Sequence, residues 1–236
     1  MFSVLDMFTI GVGPSSSHTV GPMVAAHAFA SSLQADHFVD RTARVKSTLY
    51  GSLALTGLGH GTDRAAMAGL EGNLPATVDT DHMMHIREIC ALDDTLNLAG
   101  LKRIHFDYDR DVVFEQWKRM AAHPNGMRFQ AFDAAASLVD EQVWYSIGGG
   151  FVRKGAPEDP MIGIHERPPE GASFADADES SSTDFGVEAP YPFSSCTELV
   201  SLCREHHLSI AELVWANETA SRSGIQVRSD IDAIWR

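Results

Sequence analysis

Apolar and polar positions alternate with two different periods along this chain. Residues 19–34 (TVGPMVAAHAFASSLQ) and 62–71 (TDRAAMAGLE) have helical composition and spacing, and Pro22 is tolerable in a first helical turn. Residues 43–50 (ARVKSTLY) alternate as a strand does, and residues 102–108, 127–132 and 137–147 also read as strands. Short strands mixed with helices predict an α+β domain with a mixed sheet and helices, in a strand order the pattern leaves open.

The pattern changes once. Residues 154–188 are rich in proline, glycine, serine and acids and poor in large apolar side chains, so they bury too little surface to offset their ordering entropy. They read as a linker or long loop, dividing a domain at 1–153 from a segment at 189–236. That last segment is helical in period. Leu199, Leu202 and Cys203 share a face, and Ser209 with Glu212 three residues on predicts a capped second helix. Two or three helices cover each other poorly, so the segment reads as the start of a larger all-helical domain, truncated.

Charge and cysteine content narrow the function classes. A net charge of −14 argues against a nucleic-acid or anionic-membrane partner. No stretch approaches the ~20 apolar residues of a membrane span. The opening MFSVLDMFTIGVG lacks a basic region and is interrupted by Asp6, which excludes a secretory signal and predicts a cytoplasmic protein. Cys90, Cys196 and Cys203 match no metal or disulfide spacing and read as reduced, mostly buried thiols. No metal site is expected in this sequence.

Two segments carry candidate chemistry. Residues 11–22, GVGPSSSHTVGP, bring three hydroxyls and a histidine to a helix start, a setting that suits a carboxylate or phosphate. Ser15, Ser16, Ser17 and Thr19 are the candidate donors, and His18 can add charge or act as acid or base. The same residues suit a plain capped helix after a serine-rich turn. Residues 50–63, YGSLALTGLGHGTD, read as a strand end, a glycine-rich loop and a helix start capped by Thr62 or Asp63. There Gly59 and its neighbours leave His60 accessible as a general base, or as an ordinary surface histidine. Weaker signals are HPNGMR at 123–128, a hairpin turn first, and SIGGGF at 146–151, either an anion cradle or a corner. His206 and His207 read as a solvated helix face.

The ordered blocks GPSSSHTVGPM, YGSLALTGLGHGTD, GNLPATVD, NGMRF, YSIGGGF and PYPFSSCTELVSLC together resemble the single-chain iron–sulfur-dependent L-serine dehydratases. The resemblance implies an amino-terminal beta domain, similar in fold to the allosteric substrate-binding domain of some D-3-phosphoglycerate dehydrogenases. A helical catalytic domain follows, holding a [4Fe–4S] cluster whose ligands are expected outside this chain. It implies conversion of L-serine to pyruvate and ammonia, an activity of serine catabolism and gluconeogenesis. The implied partners are L-serine, the chain's own C-terminal catalytic domain and a second copy in a homodimer. His60 is then the first candidate base and His18 the second. Ser15, Ser16, Ser17 and Thr19 become candidate carboxylate ligands, with Gly59 and Thr62 beside His60. The rival expectation is an allosteric serine- or carboxylate-binding module without chemistry of its own.

Overall fold

The computed structural model describes residues 3, 5, 8, 10–169 and 189–235. Its contacts divide the chain into two units, Gly11–Ala177 and Met1–Ile10 with Asp178–Arg236. The larger unit is α+β, as the sequence pattern predicts. It opens with a π-helical turn, Ser16–Val20, which runs into α1 (Gly21–Ala35), with Pro22 in the first turn. There follow β1 (Arg44–Tyr50), α2 (Ser52–His60), α3 (Thr62–Leu70), α4 (Thr80–Ala91), β2 (Thr95–Leu98), β3 (Lys102–His105) and α5 (Tyr108–Asp111). The strands β4 (Val112–Glu115), β5 (Lys118–Met120), β6 (Gly126–Phe132), β7 (Leu138–Gly148), β8 (Phe151–Gly155) and β9 (Met161–Gly163) complete it.

Five strands form one mixed sheet in the order β4-β1-β6-β7-β8, in which only β1 and β4 run parallel. On β6, Met127, Phe129 and Ala131 are buried while Arg128, Gln130 and Phe132 are less so, the period-2 alternation of a sheet with one covered face. Helix α1 packs on this sheet, and α3 packs on α1. Met23, Ala26, Phe29, Ala30 and Leu33 of α1 are fully buried at helical spacing, and Phe29 stacks on Phe129 with ring centroids 5.6 Å apart. The two helix backbones touch at Gly69, where a Cβ would stand 2.3 Å from the Met23 carbonyl oxygen.

Several elements depart from the sequence expectation. Residues 52–60 are helix rather than glycine-rich loop. Two glycines in nine residues cost ~1 kcal/mol each against alanine, but Leu53 and Ala54 are buried and Gly57 fits against Thr62 and the Phe114 ring. Tertiary packing outweighs local propensity there. Residues 102–108 are strand only to His105, because Asp107 accepts the Asp109 N–H and starts α5. The Asn125–Gly126 pair turns no hairpin, since β5 before it pairs with β9 and Gly126 opens β6. The three glycines at 148–150 all have positive φ and turn β7 into β8, a corner. Met161–Gly163, inside the stretch whose composition predicts a linker, is paired with Lys118–Met120. Residues 170–188 of that stretch lie outside the described residues.

The smaller unit has three helices among its described residues: α6 (Cys196–Glu205), α7 (Ile210–Glu218) and α8 (Gly224–Trp235). Ser209 and Glu212 form the full capping box at the start of α7. His206 and His207 sit at the turn after α6, not on its face. Few apolar side chains are covered. Leu213 and Val227 are buried, whereas Ile225 and Trp235 are 84% and 90% exposed. Polar contacts supply part of the order: Ser3 donates to the Glu218 carboxylate at 2.7 Å, and Arg222 donates to both at 2.8 and 2.9 Å. No described helix is long and apolar enough to cross a membrane.

Candidate functional site

The serine-rich segment folds as it does because its hydroxyls satisfy a helix start. Ser15 is extended, and its Oγ accepts the His18 N–H at 3.1 Å, while its carbonyl accepts from Thr19 and Val20 at 2.9 and 3.2 Å. The π-helical turn that results is rare, and such turns are frequent at functional sites. Ser17 Oγ lies 2.8 Å from His18 Nδ1 and 3.4 Å from Ser15 Oγ.

His60 ends α2. Gly61, at φ +66°, is the left-handed residue that stops this helix and lets α3 begin one residue later. That break puts Thr62 under the serine-rich turn. Thr62 Oγ1 donates to the His18 carbonyl, and Thr19 Oγ1 donates to the His60 carbonyl at 2.8 Å. Both threonines are fully buried. Each histidine segment is thus tied by its backbone to a hydroxyl of the other, and the two imidazoles stand 5.0 Å apart between centroids, tilted by 41°.

The two rings are held differently. His60 Nδ1 donates to the Thr56 carbonyl at 2.9 Å, one helical turn back. In the neutral ring this leaves the Nε2 lone pair open. His18 has both nitrogens engaged, Nδ1 with Ser17 Oγ at 2.8 Å and Nε2 with Ser52 Oγ at 2.9 Å. Burial pushes the His18 pKa below its usual value, a positive charge on His60 pushes it further down, and a hydrogen bond with the Ser52 backbone works the other way. These effects together favour the neutral form of His18.

His18, Thr19, His60 and Thr62 converge here, with Ser15 and Ser17 beside His18. Ser15 and Ser17 are half-buried, Ser16 is exposed, and Gly59 faces open space. Thr62 does not cap α3, contrary to the expectation. Its hydroxyl goes to His18 instead, and Gly61 is the N-cap. Asp63, the other expected cap, is buried and accepts from the Tyr108 hydroxyl at 2.7 Å. The sequence reading missed Ser52, which lies inside a block it quoted. A helix read as a loop hid the fact that Ser52 and His60 belong to the two ends of one element.

A [4Fe–4S] cluster, the group the family resemblance implies, does not fit the described residues. Cys90 is buried on α4, and burial with the nearby Glu71 and Asp93 charges pushes its thiol up to about 12. Contrary to the expectation of mostly buried thiols, Cys196 is exposed and Cys203 only partly covered, two turns apart on α6. Among the described residues no three His, Cys, Asp or Glu side chains converge on a point that could hold a metal ion. The described residues thus offer no ligand set for a cluster.

Comparison with known proteins identifies the family. The chain is 41% identical over 234 residues to an L-serine dehydratase of Streptomyces coelicolor, covering 99% of this chain and 47% of that protein. It is 38% identical over 236 residues to L-serine dehydratase 2 of Escherichia coli, covering 100% and 47%, and 37% identical over 222 residues to an L-serine dehydratase of Helicobacter pylori, covering 94% and 44%. The chain thus spans about half the length of the curated relatives it matches. The family described as serine dehydratase beta chain matches residues 3–156, which include the whole Ser15–Thr62 constellation. The chain belongs to the serine dehydratase beta chain family.

Proposed function

We propose that this chain is the amino-terminal part of an L-serine ammonia-lyase, which converts L-serine to pyruvate and ammonia, and that His60 is its general base. The observation that carries the reading is the unequal pair of imidazoles. His60 keeps one nitrogen open with the other fixed on Thr56, whereas both nitrogens of its neutral neighbour His18 are occupied. Of the two candidates, His60 is the one that can take a proton without first losing a hydrogen bond.

The roles follow from position. The serine carboxylate sits on the hydroxyls of Ser15, Ser16 and Ser17 at the helix start, where donors and the helix dipole favour an anion. Thr19 and Thr62 act on the backbone rather than on substrate. Gly59 leaves room beside His60. His60 Nε2 removes the α-proton, the C3 hydroxyl departs as water, and the aminoacrylate that remains is hydrolysed to pyruvate and ammonia. A [4Fe–4S] cluster would supply Lewis acidity to the reaction, and we place its ligands in a catalytic domain outside this sequence. The same reading makes the protein a cytoplasmic homodimer.

The test is His60→Asn and His60→Ala in the full-length enzyme with its cofactor in place. General acid–base roles contribute ~10²–10⁴-fold, so activity should fall by at least that lower bound. Activity within tenfold of wild type would remove His60 from the chemistry. Isothermal titration of L-serine into the 236-residue chain, with D-serine as control, separates the rival reading. Stereospecific binding without turnover by the full-length enzyme would favour a binding module.

A further inference from the structure

Ser52 is the first residue of α2, and its hydroxyl does not serve the helix. The N-cap of α2 is Gly51, which makes no side-chain capping bond. The backbone of Ser52 serves the fold as well, its N–H donating to the Pro124 carbonyl at 3.0 Å and its carbonyl accepting from Thr56 Oγ1 at 3.0 Å. What remains is Oγ, half-buried, 2.9 Å from His18 Nε2. His60 lies on the same helix, eight residues on. One rigid element therefore holds the ring of His18 at one end and presents His60 at the other.

We propose that Ser52 is a positioning residue for the reaction: with Ser17 on the opposite nitrogen, it holds the His18 imidazole in one orientation beside His60. This rests on the reading of His60 as the base. A hydroxyl both donates and accepts, so Ser17 and Ser52 satisfy His18 in either neutral tautomer without any movement of the ring. Neither serine supplies the negative charge that would stabilise an imidazolium. Burial and the proximity of His60 act against one as well. The consequence concerns His60. When its Nε2 takes a proton, positive charge develops 5.0 Å from the His18 ring. A second cation at that distance would oppose it, and a neutral ring does not. Loss of the Ser52 hydroxyl frees Nε2 of His18 and lets the ring turn, so that the wall beside the base is no longer defined.

Two measurements test this, one of them independent of turnover. The first is nitrogen NMR of the histidine rings in the 236-residue chain at neutral pH, for wild type, Ser52→Ala and Ser52→Thr. Wild type and Ser52→Thr should show His18 with both nitrogens hydrogen-bonded. Ser52→Ala should shift the Nε2 resonance toward that of a solvated ring while the rest of the spectrum stays native. The second is kinetics of the same variants in full-length enzyme carrying its cofactor. Misplaced groups near a reacting centre cost up to ~10²-fold. Ser52→Ala should therefore lower kcat by about tenfold or more and leave KM within about threefold. Ser52→Thr should recover most of the loss. An unchanged His18 Nε2 resonance in Ser52→Ala, or a kcat within about twofold of wild type, would overturn the proposal. Failure of the His60 assignment shows separately, as full activity in His60→Asn, while the ring spectrum still reports on Ser52 and His18.

Discussion

The hydroxyl of Thr62 donates to the main-chain carbonyl of His18, and so a residue of α3 fixes the backbone of the serine-rich turn. Thr19 returns the contact to the His60 carbonyl at 2.8 Å. Both hydroxyls are fully buried, so removing either leaves a carbonyl without its donor and without water. Thr62→Val, which keeps the shape, should lower stability by ~1–3 kcal/mol, and Thr19→Val by a similar amount. Thr62→Ser should restore most of it. Because both contacts tie the same two segments, the double variant should lose measurably less or more than the sum. Urea denaturation of the four proteins checks this, and strict additivity would show that the two clamps act independently.

Acid should weaken the folded chain in two stages, with the sign set by which state binds more protons. Burial and His60 hold His18 below its ordinary 6.5 in the folded state, and burial alone does the same to His123. The unfolded chain therefore takes up protons first. The contribution of these rings is intact above pH 6.5 and is lost as pH falls through their folded values. Asp111 adds a second stage. Burial alone would raise its carboxyl, but Arg110, the Asp107 N–H and Arg44 together outweigh that and hold it below 3.8. Its stabilisation is present above 3.8 and is lost on further acidification. Denaturation midpoints should fall as pH drops below 6.5 and again as it drops below 3.8. His18→Asn should flatten the first step, and an unchanged first step in that variant would contradict the burial of the ring.

Much of this architecture was legible in the sequence where periodicity and packing agree. The strand at 44–50, the helix at 62–70 and the capping box at Ser209 follow from alternation, helical spacing and a Ser-x-x-Glu signature. The failures are equally physical. Helix α2 contains Gly57 and Gly59, whose local cost resembles that of a loop, and only burial of Leu53 and Ala54 reveals the helix. Helix α4 had a usable signal that went unread. Asp79 caps it, and Met83, Ile86 and Cys90 fall on one buried face. In the site, residue types announced His18 and His60 but not which is open. That depends on Thr56 and Ser52, whose roles exist only once α2 is a helix.

The cysteines give a chemical check on that burial. Cys90 faces the core beside Met83 and Ile86, and its thiol, pushed up to about 12, holds roughly 10⁵-fold less thiolate than thiol at pH 7. A thiol-directed reagent on the native chain should label Cys196 first, Cys203 more slowly, and Cys90 only after denaturation. Mass spectrometry of the labelled peptides reads this directly. Rapid labelling of Cys90 under native conditions would mean that α4 is not packed as described.

Two glycines should respond to alanine in opposite directions. At Gly69 a methyl group would meet the Met23 carbonyl at 2.3 Å and Ala26 Cβ at 2.8 Å, so α1 and α3 must separate. Backbone neighbours cannot give way as a side-chain tip can. Gly69→Ala should therefore cost ~1–3 kcal/mol or more despite alanine's better helix propensity. At Gly59, also helical, a Cβ meets nothing within 4 Å. Gly59→Ala should leave the fold intact and stabilise it by up to ~1 kcal/mol. The open space at Gly59 adjoins His60, however, and in the proposed reaction it is where serine approaches the base. The same substitution in full-length enzyme should raise KM or lower kcat while the melting temperature holds or rises. That separation of stability from activity is the outcome to look for, because a purely structural Gly59 predicts a more stable enzyme of unchanged turnover.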